Sequence, residues 1–285
     1  MISVVLIWGI NFSVIKLALN SFAPLAFNAL RFSLATAVML AVMRWRREHL
    51  GVPRRDLVLL IVLGLAGHTG YQVLFINGLA RSTPANTALI MATAPLFVAL
   101  YGQVLGIERI SRVAWGGICL SFLGILLVIG GGAKGIEIGK ESSLGDLLIL
   151  GAAMLWAAYT TGSKPLLVRH SPVKVTTVSM LAGTLPLVLI SMPQLASQDW
   201  QAVSPGGWAA VLYSALFSVA VGYVAWYTSV QRVGNARTAV YSNATPIVAI
   251  LVGWLVLGDR LSLLQILGVA VVLLGIMLTR RGRAR

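Results

Sequence analysis

Two stretches of this chain are copies of one another. Residues 80–125 overlay 231–276 at a constant offset of 151 without a gap, with identities that include Arg81/Arg232, Thr87/Thr238, Pro95/Pro246, Gly102/Gly253, Arg109/Arg260, Gly117/Gly268 and Gly124/Gly275. Upstream, Trp8 and Lys16 match Trp156 and Lys164, each pair eight residues apart. Both copies are long apolar stretches with few charges inside. A duplicated apolar unit of this size restricts the fold to two similar membrane-embedded halves and puts any site where they meet.

Composition agrees. Of 285 residues, 58% are hydrophobic and 11% are charged, whereas a soluble domain carries about a quarter charged residues. The apolar residues run in blocks of roughly 18–22, the length a helix needs to cross a hydrocarbon core of ~30 Å. Backbone groups in lipid must be satisfied within their own segment, so helices are expected. The short alternating segments of a β-barrel are not seen in the sequence. Ten spans are predicted, at 2–19, 25–43, 57–78, 85–106, 113–131, 144–163, 173–192, 207–229, 236–257 and 262–279, separated by Pro, Gly and Ser clusters. The expected fold is an all-α integral membrane protein with ten transmembrane helices in two inverted five-helix repeats. The first repeat covers 1–131, an external linker 132–143, and the second repeat 144–285. The first span begins at Met1 with no basic leader or small-residue cleavage site, so no cleaved signal peptide is expected.

Basic residues set the orientation. With the N-terminus inside, cytoplasmic segments carry sixteen of the Lys and Arg residues, from Arg44, Arg46 and Arg47 to the tail at Arg280, Arg281, Arg283 and Arg285. The other side carries four: Arg81, Lys134, Lys140 and Arg260. This positive-inside bias predicts a multi-pass protein of the cytoplasmic (inner) membrane with both termini cytoplasmic. It accounts for the net charge of +14 with no nucleic acid as partner, and the tail anchors on lipid headgroups. Five spans per half is an odd number, so the second half enters from the opposite side. Inverted halves can exchange conformations and thereby expose one site to each side in turn. A duplication kept for folding alone, or a channel, is the alternative.

The whole chain resembles the drug/metabolite transporter superfamily, in its ten-helix branch of EamA-type exporters. The resemblance rests on Trp8-Gly9-Ile10-Asn11-Phe12 with Lys16 in span 1, Pro24 and Arg31-Phe32 in span 2, and Ala94-Pro95 in span 4. It extends to Glu108-Arg109-Ile110-Ser111, Gly117 and Gly124, and to the weaker second copies Thr245-Pro246 and Asp259-Arg260-Leu261-Ser262. What it implies is a secondary transporter that exports amino acids or related small metabolites. Efflux of drugs, metabolite import by the same fold, and a membrane protein without flux remain the alternatives.

Candidate pathway residues follow from helical spacing. In span 3, His68, Tyr71, Gln72 and Phe75 recur at three and four residues, on one side of a helix. A face this polar meets protein or water, not lipid, and His68 is a packing residue, a proton carrier or a substrate contact. By the repeat, Tyr223 and Trp226 answer Gln72 and Phe75. Trp8 and Asn11, Trp156 and Tyr159, and Tyr241 and Asn243 complete the set from spans 1, 6 and 9. Aromatic residues at mid-depth fit a pocket with a few polar anchors, or else an interface belt. Lys16 and Arg31 either snorkel to the interface or form a cationic lining. Lys164, the match of Lys16, is either a gate or part of the positive-inside bias. Pro95 and Pro246, mid-span, remove a backbone bond and bend their helices, as hinges or as static kinks.

The remaining chemistry is exclusion. No H-E-x-x-H, G-x-S-x-G, Walker loop or Cys/His cluster is present, so neither an enzyme, a metal site nor a cofactor is expected. The single cysteine, Cys119, cannot form an intrachain disulfide. All eight carboxylates fall in loops or at span ends. A small-cation/proton antiporter needs a buried acid, so neutral, zwitterionic or anionic substrates are favoured. The expected partners are that small molecule and the lipid bilayer, with the oligomeric state open.

Overall fold

The computed structural model describes residues 1–82, 84–130, 140–248 and 262–282, with side chains at all of these except 84–86 and 140–142. The linker 132–143 lies mostly outside the described residues, as do the end of the ninth predicted span and Gly253, Asp259 and Arg260. Every element among the described residues is helical. Helix α1 is Ile2–Ala18, α2 Pro24–Trp45, α3 Arg54–Arg81, and α4 consists of Pro84–Met91 and Ala94–Val104. Next come α5, Arg112–Gly130, α6, Lys140–Leu167, α7, Pro172–Ser197, and α8, Pro205–Val233. Asn235–Ala239 opens α9, and α10 is Leu263–Arg281. Eight stretches among these are long and apolar enough to cross a membrane, and α1 is a shorter apolar helix. The span predicted at 236–257 is described only to residue 248.

Local chemistry explains the starts. Pro24, Pro172 and Pro205 each open a helix directly after an extended residue, where proline's missing N–H is no loss. The Ser171 and Ser204 hydroxyls accept from the amides of Lys174 and Gly207. Ser262 and Gln265 form a reciprocal capping box.

Two departures from regular α-helix recur in both halves of the chain. Helix α3 widens into a π segment at Leu65–Gly70, and α8 does so at Ser214–Val221. Helix α4 breaks at Ala92 and Thr93, and α9 tightens into a 3-10 segment at Val240–Ala244. The expectation of a bend at Pro95 and Pro246 is thereby modified. Each helix is interrupted in the turn before its proline, and Pro95 sits in the first turn of a new segment.

Polar contacts define two faces. At one, which holds the start of α1 and the described end of α10, Asp56 accepts from Arg169 Nη2 and pairs with His170 Nε2, each at 2.7 Å. Arg237 there donates to the Gly282 carbonyl at 2.6 Å. At the distal face, Gln198 and Gln194 tie the α7 end to Ser21, Ala23 and Leu25. Helices α5 and α10 lie antiparallel in very close contact. A methyl added at Gly117 would strike the backbone of Thr279 and Gly275, and one at Gly268 would strike that of Val128 and Gly124. Small residues at such an interface let backbones approach. Residues one repeat apart also touch elsewhere. The Trp8 and Trp156 rings are 5.5 Å apart, the Thr36 and Thr184 hydroxyls 2.9 Å, and Gln72 Nε2 donates to the Tyr223 hydroxyl at 3.2 Å.

Candidate binding cavity

A cavity of about 100 Å³ sits among α1, α2, α3, α4, α6, α8 and α9. Helix α1 contributes Trp8, Asn11, Phe12 and Ile15, and α3 contributes Tyr71, Gln72 and Phe75. Trp156, Ser218 and Tyr223 close the side formed by α6 and α8. The broken segments of α4 and α9 bring Met91, Ala94, Ser242, Thr245 and Pro246 to the wall. The rings form one packed set: Trp8 lies 6.3 Å from Tyr223, Tyr71 5.3 Å from Trp156, and Phe12 6.1 Å from Phe75. The wall thus combines six aromatic residues with seven aliphatic ones and six polar or charged ones, Asn11, Arg31, Gln72, Ser218, Ser242 and Thr245.

One of those groups is charged. Arg31 of α2 lines the cavity and is only 3% exposed. It lies seven residues into a helix that starts at the distal face, about 10 Å deep. Its Nε donates to Asn28 Oδ1 at 2.7 Å and its Nη2 to Gln72 Oε1 at 2.8 Å. Asn28 in turn donates to the Gln72 carbonyl at 3.0 Å. The guanidinium carbon sits 5.3 and 5.4 Å from the Phe27 and Phe32 ring centres. Neutral amides and aromatic faces thus orient the guanidinium, and among the described residues no carboxylate pairs with it. Burying a cation in an apolar span is unfavourable unless something compensates the charge. The arrangement holds a fixed positive charge at the edge of an aromatic-lined space.

The structure gathers Trp8, Asn11, Tyr71, Gln72, Phe75, Trp156, Tyr223 and Pro246 of the expected pathway around the cavity. It sets others apart. Lys16 is exposed on α1. Lys164 is half-buried near the face holding the start of α1 and donates to the Val230 carbonyl at 2.8 Å. His68 is fully buried one turn from the lining residues, with Nε2 hydrogen-bonded to the Tyr159 hydroxyl at 2.8 Å and the Ser179 hydroxyl at 3.2 Å. Trp226 packs beneath Trp8 and Trp156, with ring centres 5.1 and 5.5 Å away. Asn243 is buried and donates to the Ser121 hydroxyl at 2.7 Å. Tyr241 packs with a separate apolar cluster around Ile118 and Val272, and Pro95 is buried outside the lining. Arg31 gained its place from two partners. Asn28 was legible one helical turn away, but Gln72 comes from another helix.

Helices long and apolar enough to cross a membrane, with a cavity between them, define a multi-span membrane protein, and the comparisons narrow that class. The chain belongs to the EamA-like transporter family, whose model matches residues 1–130 and 143–281. It is 30% identical over 275 residues to an uncharacterized transporter of Bacillus subtilis, covering 94% of this chain and 88% of the relative. It is 30% identical over 293 residues to a probable terminal-alkyne amino-acid exporter of Streptantibioticus cattleyicolor, covering 99% and 93%. A solved crystal structure superposes with a TM-score of 0.82 at 22% identity, covering 97% of this chain and 93% of that one, which supports the fold. The protein is a multi-pass membrane transporter.

Proposed function

We propose that the protein exports small carboxylate-bearing metabolites, amino acids foremost, across the cytoplasmic membrane, with both termini cytoplasmic. It works by alternating access between two inverted five-helix halves, 1–131 and 144–285. The observation that carries the substrate class is Arg31. A buried cation with no acidic partner among the described residues is a receptor for an anion, and the guanidinium fork matches a carboxylate. Arg31 is the one basic residue in the lining among the described residues, so a monoanion is neutralised, whereas a dianionic phosphate would retain an unpaired charge. The aromatic wall suits an apolar side chain. At about 100 Å³ the space is well below the ~300–1,000 Å³ of drug-sized pockets, which disfavours extrusion of bulky drugs. The amino-acid exporter among its relatives points the same way.

Support for the inverted halves comes from the antiparallel α5–α10 pair, the recurring π segments and the contacts between residues one repeat apart. Pro95 and Pro246 are the proposed hinges, because each follows a break in its helix, and Lys16 and Lys164 the proposed gates. The test is flux into proteoliposomes with matched ligands: phenylalanine, its amide and phenethylamine, alongside a panel of amino acids. Flux of the carboxylates with little of the amide or amine is expected. Equal flux of all three, or flux of the amine alone, would remove the proposed substrate class.

A further inference from the structure

Resting on the carboxylate reading of Arg31, we infer that the broken segments of α4 and α9 hold the amino group of the ligand, so that the site takes amino-acid zwitterions in preference to carboxylates without an amine. The acceptors are the hydroxyl oxygens of Thr245 and Ser242 and the main-chain carbonyls of Met91 and Ser242. Met91, Ser242 and Thr245 line the cavity. The observation that points to a ligand is Thr245. The residue is 6% exposed, and its Oγ1 is buried with no hydrogen-bond partner among the described residues. Buried polar groups are normally satisfied by protein, water or ligand. The repeat does not impose this hydroxyl, because the counterpart of Thr245 is Ala94, which also lines the cavity.

The two prolines add acceptors to the same segments. Proline has no N–H, so the carbonyl four residues before it loses its α-helical donor. Those carbonyls belong to Met91, ahead of Pro95, and to Ser242, ahead of Pro246. The Ser242 carbonyl takes the Thr245 amide instead, at the end of the 3-10 segment, and keeps a second lone pair. The Ser242 hydroxyl gives its hydrogen to the Ala239 carbonyl at 2.7 Å, which leaves its oxygen to accept. The polar groups of α1 and α2 have the opposite character. Arg31 can only donate. Asn11 Oδ1 already accepts from the Ser214 hydroxyl at 2.8 Å, so its Nδ2 is the end left to donate. A carboxylate carries acceptors alone, whereas an ammonium carries three donors and no acceptor. The two polar ends of an amino acid therefore meet complementary chemistry on different helices. Among the described residues the lining holds no carboxylate, so an amine without a carboxylate of its own would meet Arg31 with no countercharge.

The test compares phenylalanine with 3-phenylpropanoate, which differs only in lacking the amine, by calorimetry on the purified protein and by flux into proteoliposomes. Phenylalanine is expected to bind about tenfold more tightly or better, the worth of one hydrogen bond to a charged group. Thr245→Val keeps the shape of the side chain and removes the hydroxyl. It should weaken phenylalanine about tenfold and leave 3-phenylpropanoate unchanged, which also reports that the variant is folded. Thr245→Ser should restore the preference, and Thr245→Ala replaces Thr245→Val if that variant does not fold. If 3-phenylpropanoate binds and is carried as well as phenylalanine, the amine site is overturned while the carboxylate reading stands. A Thr245→Val protein that keeps the full preference, or loses both ligands equally, overturns it too. Absence of flux for every carboxylate overturns the carboxylate reading itself, and the amine site with it.

Discussion

Around the cavity, Arg31 and the rings of Trp8, Phe12 and Phe75 border open volume, and Arg31 has its hydrogen bonds to Asn28 and Gln72. One repeat away, Ser179, Thr160 and Trp226 stand for Arg31, Phe12 and Phe75, packed closed beside His68 and Tyr159, with His68 Nδ1, Thr160 Oγ1 and Trp226 Nε1 left without a partner among the described residues. The contrast teaches that the two regions differ in state more than in kind. The open region is the better satisfied of the two, with Thr245 Oγ1 its one buried side-chain atom left without a partner among the described residues. The closed region is held shut by aromatic packing against the cost of its orphaned polar groups, each about 1–3 kcal/mol. On the proposed alternating-access mechanism, a ligand exchanges the two by its differential interaction with the two states. The regions also differ in charge, since Arg31 corresponds to the neutral Ser179, so the proposed anchor for a carboxylate stands on one side only.

The largest effect expected from breaking this contrast is at Arg31. Hydrogen bonds to a charged group are worth about 1.5–3 kcal/mol, so Arg31→Gln should weaken carboxylate binding by roughly tenfold to a hundredfold. Calorimetry with the acid and its amide should also show the preference between them lost. Ser179→Ala, at the corresponding position, should leave that preference intact; an equal loss there would make the two sides equivalent in charge recognition.

The next effect sharpens the symmetry itself. Gly117→Leu and Gly268→Leu each drive a side chain into the partner's backbone at the α5–α10 contact. Overpacking of this kind costs about 1–3 kcal/mol, and thermal unfolding in detergent should show similar losses for both. Gly116→Ala is the control, because its added methyl would meet only Leu278 Cδ2 at 3.9 Å. A large cost at Gly117 with none at Gly268 would argue against equivalent packing.

A smaller effect has the opposite sign. Thr160→Val keeps the shape of the side chain and removes an unpaired hydroxyl, so this conformation should gain about 1 kcal/mol while transport slows. A melting temperature that falls would count against a dry, strained region. The smallest effect concerns the paired hydroxyls of Thr36 and Thr184. A double-mutant cycle with valine at both positions should yield a coupling of about 0.6 kcal/mol, the average for such bonds in membranes.

Much of this architecture was legible in the residues. The gapless match of 80–125 with 231–276 showed that α5 and α10 carry equivalent glycines, whereas their packing against one another emerged from the structure, where backbone meets backbone at Gly117 and Gly268. The spacing of Tyr71, Gln72 and Phe75 gave one wall of the cavity, since residues three and four apart share a helix face. The role of Arg31 was left even between snorkelling and lining, since depth inside a bundle depends on partners from other helices, here Gln72. The π segments were hidden. Gly64, Gly67 and Gly70 surround one, whereas the other contains no glycine over Ser214–Val221, so no shared local signal marks them. Lys16 illustrates the converse: its long side chain at the end of α1 reaches the surface, as its stem allows.

The most direct test of the claim that equivalent regions exchange states is a pair of distances measured by pulsed electron spin resonance. Spin labels at Leu17 and Arg81 report on the distal end, and labels at the equivalent Pro165 and Arg232 report on the other. The account predicts two populations for each pair, shifted in opposite senses when a transported carboxylate is added, so that one pair lengthens as the other shortens. A single unchanging distance at both ends in protein that carries flux, or two distances that lengthen together, would contradict it.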